Sequence, residues 1–149
     1  MTLTPVQPED AGALADLLAQ AFADYARGLG RDQPGPYDWV PARIAAGECF
    51  WLDESRTGAA VLKPEGRSMK LDVLGVRPEA QGSGLGARAV AAIEAHARAQ
   101  GARVLHLQTA QCYTHLVAFY SRLGFRVNAV GPHPEGMDDR LRVFMVKRL

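Results

Sequence analysis

The chain reads as an α/β domain in which one twisted, mixed sheet carries packed helices. Three observations lead there. Apolar side chains recur at helical spacing in Ala11, Leu14, Leu17, Leu18, Ala21, Phe22 and Tyr25, which draws one apolar stripe down a helix. Three strand-like runs follow, joined by links too short for a crossover, so they pair as antiparallel neighbours. An alanine-rich helix then separates the third of these runs from a fourth, which makes one β-α-β crossover. The 149 residues fit a single domain, 1–149, long enough for a real core.

Taken in order, residues 3–7 form a short first strand. A helix follows from Pro8, a residue suited to a first helical turn. The glycines and prolines of residues 28–36 break it. A second, short helix spans 37–46 and stops at Gly47. Strands are expected over 49–53, 58–63 and 68–76, linked by turns at 54–58 and 64–67. A glycine loop comes next, then a helix over 84–100 with Gly101 as its C-terminal stop. Residues 103–109 (Val104, Leu105, Leu107) read as a buried strand. Residues 114–123 are helical and end at Gly124. The last strands are 125–130 and 141–147, and the link between them, 131–139, is too long for a tight hairpin.

Charge and composition exclude several function classes. The net charge is +1 with acids and bases balanced, and no basic stripe suggests nucleic acid. No apolar run approaches a membrane span. The first ten residues lack the basic and apolar segments of a signal peptide, so a cytoplasmic protein is expected. Only Cys49 and Cys112 are present, with no CxxC and no Cys/His cluster, which argues against a metal site or a disulfide frame. Cys112 either borders a site or is a small buried thiol, and the buried thiol is the expectation.

The densest functional signal is Gln81-Gly82-Ser83-Gly84-Leu85-Gly86. Glycines just before a helix leave backbone N–H groups open at the positive end of its dipole, an arrangement suited to a diphosphate. Glycine-rich turns also serve simply to reverse a chain. Two other phosphate loops are excluded. A Walker loop requires Gly-Lys-Ser/Thr at its end, and here Gly86 precedes Ala87 and Arg88. A dinucleotide fingerprint requires GxGxxG and an acid some twenty residues on. Here the spacing is GxGxG, and the strand after the helix, 103–109, carries no acid.

Val76-x-Pro78-Glu79-x-Gln81-Gly82-x-Gly84-x-Gly86 resembles the Q/R-x-x-G-x-G/A signature of the GNAT superfamily, the acyl-CoA-dependent N-acyltransferases. Ala118-Phe119-Tyr120-Ser121-Arg122-Leu123-Gly124-Phe125 is similar to that family's Phe/Leu-Tyr-x-x-x-Gly-Phe, and it stands in the family's order, after the next strand. The resemblance implies a mostly antiparallel mixed sheet, splayed near its centre, with helices on both faces. It implies acetyl-CoA as cosubstrate and no metal. The backbone of Leu74, Gly75 and Val76 would pair with the pantetheine arm, and the N–H groups of Gln81 through Gly86, including Ser83 and Leu85, would take the diphosphate. Tyr120 matches the tyrosine whose hydroxyl approaches the CoA sulfur. One position departs: the family often has Asn seven residues before this tyrosine, and here Tyr113 occupies it.

The proton acceptor is open at this level. Asp72 is the first choice, because it interrupts an apolar strand beside the expected acetyl site and a central-strand charge needs a reason. Solvent exposure or an ion pair would equally account for it. His106, His115 and His133 are further choices, and ordered water can replace a dedicated base. The acceptor would lie among the first helix, residues 28–36 and residues 131–139, with Tyr25, Tyr37 and Trp39 as an aromatic wall. Glu135, Asp138 and Asp139 would either attract a cationic amine or be ordinary loop acids. The reading is acetyl transfer from acetyl-CoA to a primary amine of a small molecule by direct attack in a ternary complex. An acyl-CoA sensor without turnover and a protein or peptide N-acetyltransferase are the alternatives. Partners expected are the small-molecule amine and, through the C-terminal strands, a second copy, with no nucleic acid and no membrane.

Overall fold

The computed structural model describes residues 1–149. The chain runs β1 (Thr4–Pro5), α1 (Ala11–Gly28), α2 (Val40–Ala45), β2 (Cys49–Trp51), β3 (Gly58–Glu65), β4 (Ser68–Val76), α3 (Leu85–Ala99), β5 (Val104–Ala110), α4 (Thr114–Arg122), β6 (Arg126–Gly131) and β7 (Arg142–Arg148). Short 3₁₀ turns at Pro8–Asp10 and Pro78–Ala80 lead into α1 and into the glycine loop. All seven strands join one sheet in the order β1-β2-β3-β4-β5-β7-β6. Neighbouring strands are antiparallel except β4 and β5, the pair joined by the α3 crossover.

Alternation along the strands gives the sheet two apolar faces. On one, Leu14, Leu17 and Leu18 of α1 and Val40 and Ile44 of α2 pack on Trp51, Ala59 and Val61. On the other, Ala89, Val90, Ile93 and Ala97 of α3 pack on Ala60, Leu62, Met69, Leu71, Leu105 and Met145. Burying one leucine is worth about 1.5–3 kcal/mol, and the three α1 leucines are fully buried. That stripe fixes α1 on β3 and β4. No helix is long and apolar enough to cross a membrane.

Two elements differ in extent from the sequence reading. The first strand is only Thr4–Pro5, because Pro5 has no N–H to donate and suits only an edge. The second helix begins at Val40 with Pro41 in its first turn, where a proline's missing N–H goes unneeded, and Tyr37 and Trp39 before it pack their rings on the α1 side.

The sheet splays where it matters for a ligand. β4 and β5 pair only at Ser68–Val104, Met69–Leu105 and Lys70–His106. Beyond Lys70 the two strands part, while β5 stays paired to β7 through Ala110. A β-bulge sits just past the parting point: Leu62 faces Leu71 and Val61 faces Val73, which leaves Asp72 as the extra residue. Asp72 and Val73 therefore both point to the α1/α2 face. Gly75 sits under α1, where a Cβ would lie 3.1 Å from Phe22 and 3.2 Å from Leu18.

Asp72 ties the bulge to α2. Arg43 Nη1 donates to Asp72 Oδ2 at 2.8 Å, and Lys70 Nζ lies 3.3 Å from Asp72 Oδ1. Arg43 also bonds Glu48 through Nε and lies over the Trp39 ring. Burial alone would raise the Asp72 pKa; the Arg43 hydrogen bond and the Lys70 and Arg43 charges outweigh it, so it lies below the ordinary carboxylate value. A depressed folded pKa adds stability that is fully present above the unfolded pKa, about 3.9. That stability is lost as pH falls through the still lower folded value. Asp72→Asn should cost about 1–3 kcal/mol at pH 7, and the gap to wild type should close below about pH 4. Urea unfolding at pH 7 and pH 3 checks this, and an equal gap at both would show that the charge is not the source.

Candidate active site

The glycine loop is built by local backbone chemistry. Gly82 (φ +77°) and Gly84 (φ +81°) are left-handed, a conformation glycine takes without a Cβ penalty. Gly84 caps α3. The N–H groups of residues 82–87 donate to no protein acceptor. They are the orphan donors of a helix N-terminus and of the loop before it, aimed where the helix dipole is positive. The polar side chains of the loop turn inward. Gln81 Nε2 donates to the Val76 carbonyl at 3.0 Å, and Ser83 Oγ donates to the Ala80 carbonyl at 2.6 Å. They brace the loop and leave its backbone as the exposed polar surface. A Cβ on Gly86 would lie 3.3 Å from the Phe119 ring, so α3 begins in close contact with α4.

The loop opens onto the splay. On its β5 side the β4 backbone beyond Lys70 has no strand partner, which leaves the edge of Leu74, Gly75 and Val76 open, with the Val76 carbonyl engaged by Gln81. From the opposite wall, the Ala110 N–H donates to the Tyr25 hydroxyl at 3.1 Å. Tyr25 thus reaches from α1, which lies on β4, to the free edge of β5. Its ring stacks on Tyr113 with centroids 4.7 Å apart, and the Tyr113 hydroxyl donates to the Tyr25 carbonyl at 2.8 Å. A Cβ on Gly28 would lie 1.8 Å from the Tyr113 hydroxyl oxygen. Gly28, a breaker in the sequence reading, is the residue that admits this clamp.

Tyr120 lies on α4 with its ring edge-on to Phe119 and Phe125. Burial, with a contribution from nearby Tyr25, pushes its pKa up to about 12, so it is a neutral phenol and a proton donor at neutral pH. Asp72 fits the role of general base poorly. Both its oxygens face cations, and its depressed pKa makes it a weak base. The sequence read the polar interruption correctly but not its partners.

The remaining predicted residues scatter. His106 Nε2 meets Glu65 at 2.7 Å. His115 lies edge-on to Tyr113 and is exposed. His133 Nδ1 accepts from the Glu135 N–H, and burial lowers its pKa. Asp138 does not await a cationic amine: it holds the buried Arg142 through two bonds of 2.9 and 2.8 Å. Tyr37 pairs with Trp39 while Tyr25 pairs with Tyr113, so the three do not share one stack. Cys112, expected to be buried, is exposed in the link between β5 and α4, whereas Cys49 is buried and its thiol is pushed up to about 11.

Two features had no sequence signal. Arg31 Nη1 contacts Met137 Sδ at 3.0 Å, which joins the loop after α1 to the loop before β7. Gln108, on β5, holds a buried Oε1 with no hydrogen-bond partner, a state that costs about 1–3 kcal/mol.

The model of the acetyltransferase (GNAT) family matches residues 13–125. No curated protein matches the chain. Among solved structures, an acetyltransferase from Thermus thermophilus is 25% identical with a TM-score of 0.75, covering 100% of this chain and 98% of that one. The ribosomal-protein-alanine N-acetyltransferase from Brucella melitensis is 17% identical with a TM-score of 0.77, covering 100% of both chains. A GNAT family acetyltransferase from Elizabethkingia anophelis with acetyl-CoA bound is 18% identical with a TM-score of 0.65, covering 78% of this chain and 92% of that one.

The clamp is open to test. Gly28→Ala should destabilise the fold by about 1–3 kcal/mol through overpacking, and adding Tyr113→Phe, which removes the clashing oxygen, should recover part of the loss. Thermal unfolding of the single and double variants measures this. A double variant no more stable than Gly28→Ala would mean the hydroxyl is not what Gly28 accommodates.

Proposed function

Because the chain belongs to the acetyltransferase (GNAT) family and is an acyltransferase, we propose that it moves the acetyl group of acetyl-CoA to a primary amine of a small molecule, by direct attack in a ternary complex. The residues present fit acetyl-CoA. The unpartnered N–H groups of residues 82–87 suit a diphosphate. The unpaired β4 edge at Leu74, Gly75 and Val76 suits an extended arm that carries amide groups.

The cosubstrate supplies an acetyl group activated as a thioester. The amine nitrogen bonds to the acetyl carbon as the carbon–sulfur bond breaks. Tyr120 delivers a proton or a hydrogen bond to the departing sulfur, a role its raised pKa permits at neutral pH. The nitrogen releases its proton to water, since Asp72 is committed to Arg43 and Lys70. Backbone donors at Gly82 through Ala87 would hold the diphosphate and need no rearrangement to do so, whereas the Gln81 N–H is already bonded to the Pro78 carbonyl. The neutral phenol of Tyr120 beside the splay supports turnover over a sensor role.

The observation that carries the small-molecule reading is the Arg31–Met137 contact. It joins the two loops, residues 28–36 and 131–139, that are expected to bound the acceptor. A small amine enters beside such a bridge, whereas an extended chain would have to thread beneath it.

Gly84→Val should abolish acetyl-CoA binding in calorimetry, because a β-branched side chain cannot hold φ +81° and shields the loop N–H groups. Unchanged affinity would remove the loop from the site. Tyr120→Phe should lower kcat about 10²–10⁴-fold with little change in acetyl-CoA affinity. Thiol release from acetyl-CoA, followed with a thiol-reactive dye over polyamines, amino acids, aminoglycosides and short peptides, tests the acceptor class. Turnover with peptides alone would overturn the small-molecule reading.

A further inference from the structure

Gln108 stands on β5 between Leu107 and Thr109. Leu105 and Leu107 point into the α3 core, so strand alternation turns His106 and Gln108 to the α1/α2 face. His106 is the last β5 residue paired with β4, opposite Lys70, and its ring is already bonded to Glu65. Gln108 is therefore the first side chain on that face beyond the point where the strands part. Two residues on, the Ala110 N–H is bonded to Tyr25. Gln108 thus lies on the wall of the splay between its closed end and the Tyr25 clamp.

Its amide oxygen is buried and accepts no hydrogen bond from the protein. Buried polar atoms in folded proteins are nearly always paired, and an exception calls for an explanation. The chemistry of the neighbourhood narrows the partner. The charged groups near this face form two sets of ion pairs, Arg43 with Glu48 and Asp72, which also meets Lys70, and Asp138 with Arg142. The Tyr25 hydroxyl is fixed on Ala110 and is no donor to Gln108 in this structure. Arg43 Nη2 and Arg31 Nε are buried donors that are also unpartnered, but neither bonds the Gln108 amide oxygen. That oxygen lacks a donor, and an attacking amine is a donor.

We infer that Gln108 orients the acceptor, its amide oxygen taking a hydrogen bond from an N–H of the attacking amine. The inference rests on the acyl-transfer reading above. A primary amine has two N–H groups and one lone pair. Holding one N–H on a fixed carbonyl oxygen leaves the lone pair free to face the acetyl carbon. An amide oxygen does not take up a proton near neutral pH, so Gln108 is a positioning residue for the nucleophile and not its base.

The test uses the full chain, acetyl-CoA and methylamine or n-butylamine as generic acceptors over pH 6–10, with thiol release as the readout. Acetyl-CoA affinity by calorimetry and thermal unfolding serve as controls. Gln108→Leu should raise KM for the amine about 3- to 10-fold, the range set by one neutral hydrogen bond, with acetyl-CoA affinity unchanged. Gln108→Glu puts a carboxylate against the same nitrogen and should move the acid limb of kcat/KM to lower pH. Wild-type KM and an unshifted pH profile in both variants would overturn the inference while leaving the acyl-transfer reading intact. If wild type binds acetyl-CoA but neither amine releases thiol, the function reading falls and this inference with it. Should Gln108→Leu fail to fold, the pH profile of Gln108→Glu and the amine KM of Gln108→Asn decide.

Discussion

Parallel pairing between β4 and β5 ends at Lys70 and His106, and the backbone groups beyond it must be satisfied by something other than a neighbouring strand. A buried peptide group without a partner is costly, so two strands that part inside a sheet need a cause. Part of the cause is the bulge at Asp72, which bends β4 away and gives it a second consecutive side chain on the α1/α2 face. Part is α1, which rests against Gly75 so closely that a Cβ there would crowd Phe22 and Leu18. The glycine loop, the open β4 edge and Gln108 all take their positions from where that pairing stops.

The opening is held at both ends by polar contacts, of which those of Tyr25 cross between the halves of the sheet. Arg43, Asp72 and Lys70 fix the bulge to α2 near the closed end. Tyr25 and Tyr113 join the end of α1 to β5 and to the entry of α4. The second clamp stands where the family resemblance led to an asparagine contact with the pantetheine arm. Tyr113 instead spends its hydroxyl on the Tyr25 carbonyl. Its ring and the bare backbone of Gly28 are a matched pair, each intelligible only with the other.

The sequence disclosed what is written locally. The glycine loop was legible because left-handed backbone at Gly82 and Gly84 and the helix behind it are properties of adjacent residues. The α1 stripe and the antiparallel run from β2 to β4 were legible through their periodicity and short turns. What stayed hidden depends on residues distant in the chain. Arg43 precedes Asp72 by 29 positions and Tyr25 precedes Tyr113 by 88, and no spacing rule links them. Asp72 showed in the sequence as an anomaly, but an ion pair and a base look alike until the partners are seen. Cys112 was misread because its apolar character favoured burial, whereas the link after β5 turns outward. Asp138 stood open between an attractor for a cationic amine and an ordinary loop acid, because nothing in its loop shows that Arg142, four residues on, is buried and needs it.

The distribution of charge bears on how the acceptor arrives. Around the splay the ionised groups are spent on each other: Asp72 with Arg43 and Lys70, Asp138 with Arg142. The polar groups on the wall of the splay are neutral, the Tyr25 hydroxyl and the Gln108 amide, and burial keeps the Tyr120 phenol neutral too. A cleft lined in this way offers an ammonium no counter-charge, and desolvation favours the uncharged form of an amine that enters it. The unprotonated amine is also the only form with a lone pair to attack. On the proposed transfer to an amine, the site needs no strong base at the nitrogen, because desolvation selects the reactive form before the bond is made. That accounts physically for an aspartate whose basicity is held down by two cations and a phenol whose acidity is held down by burial.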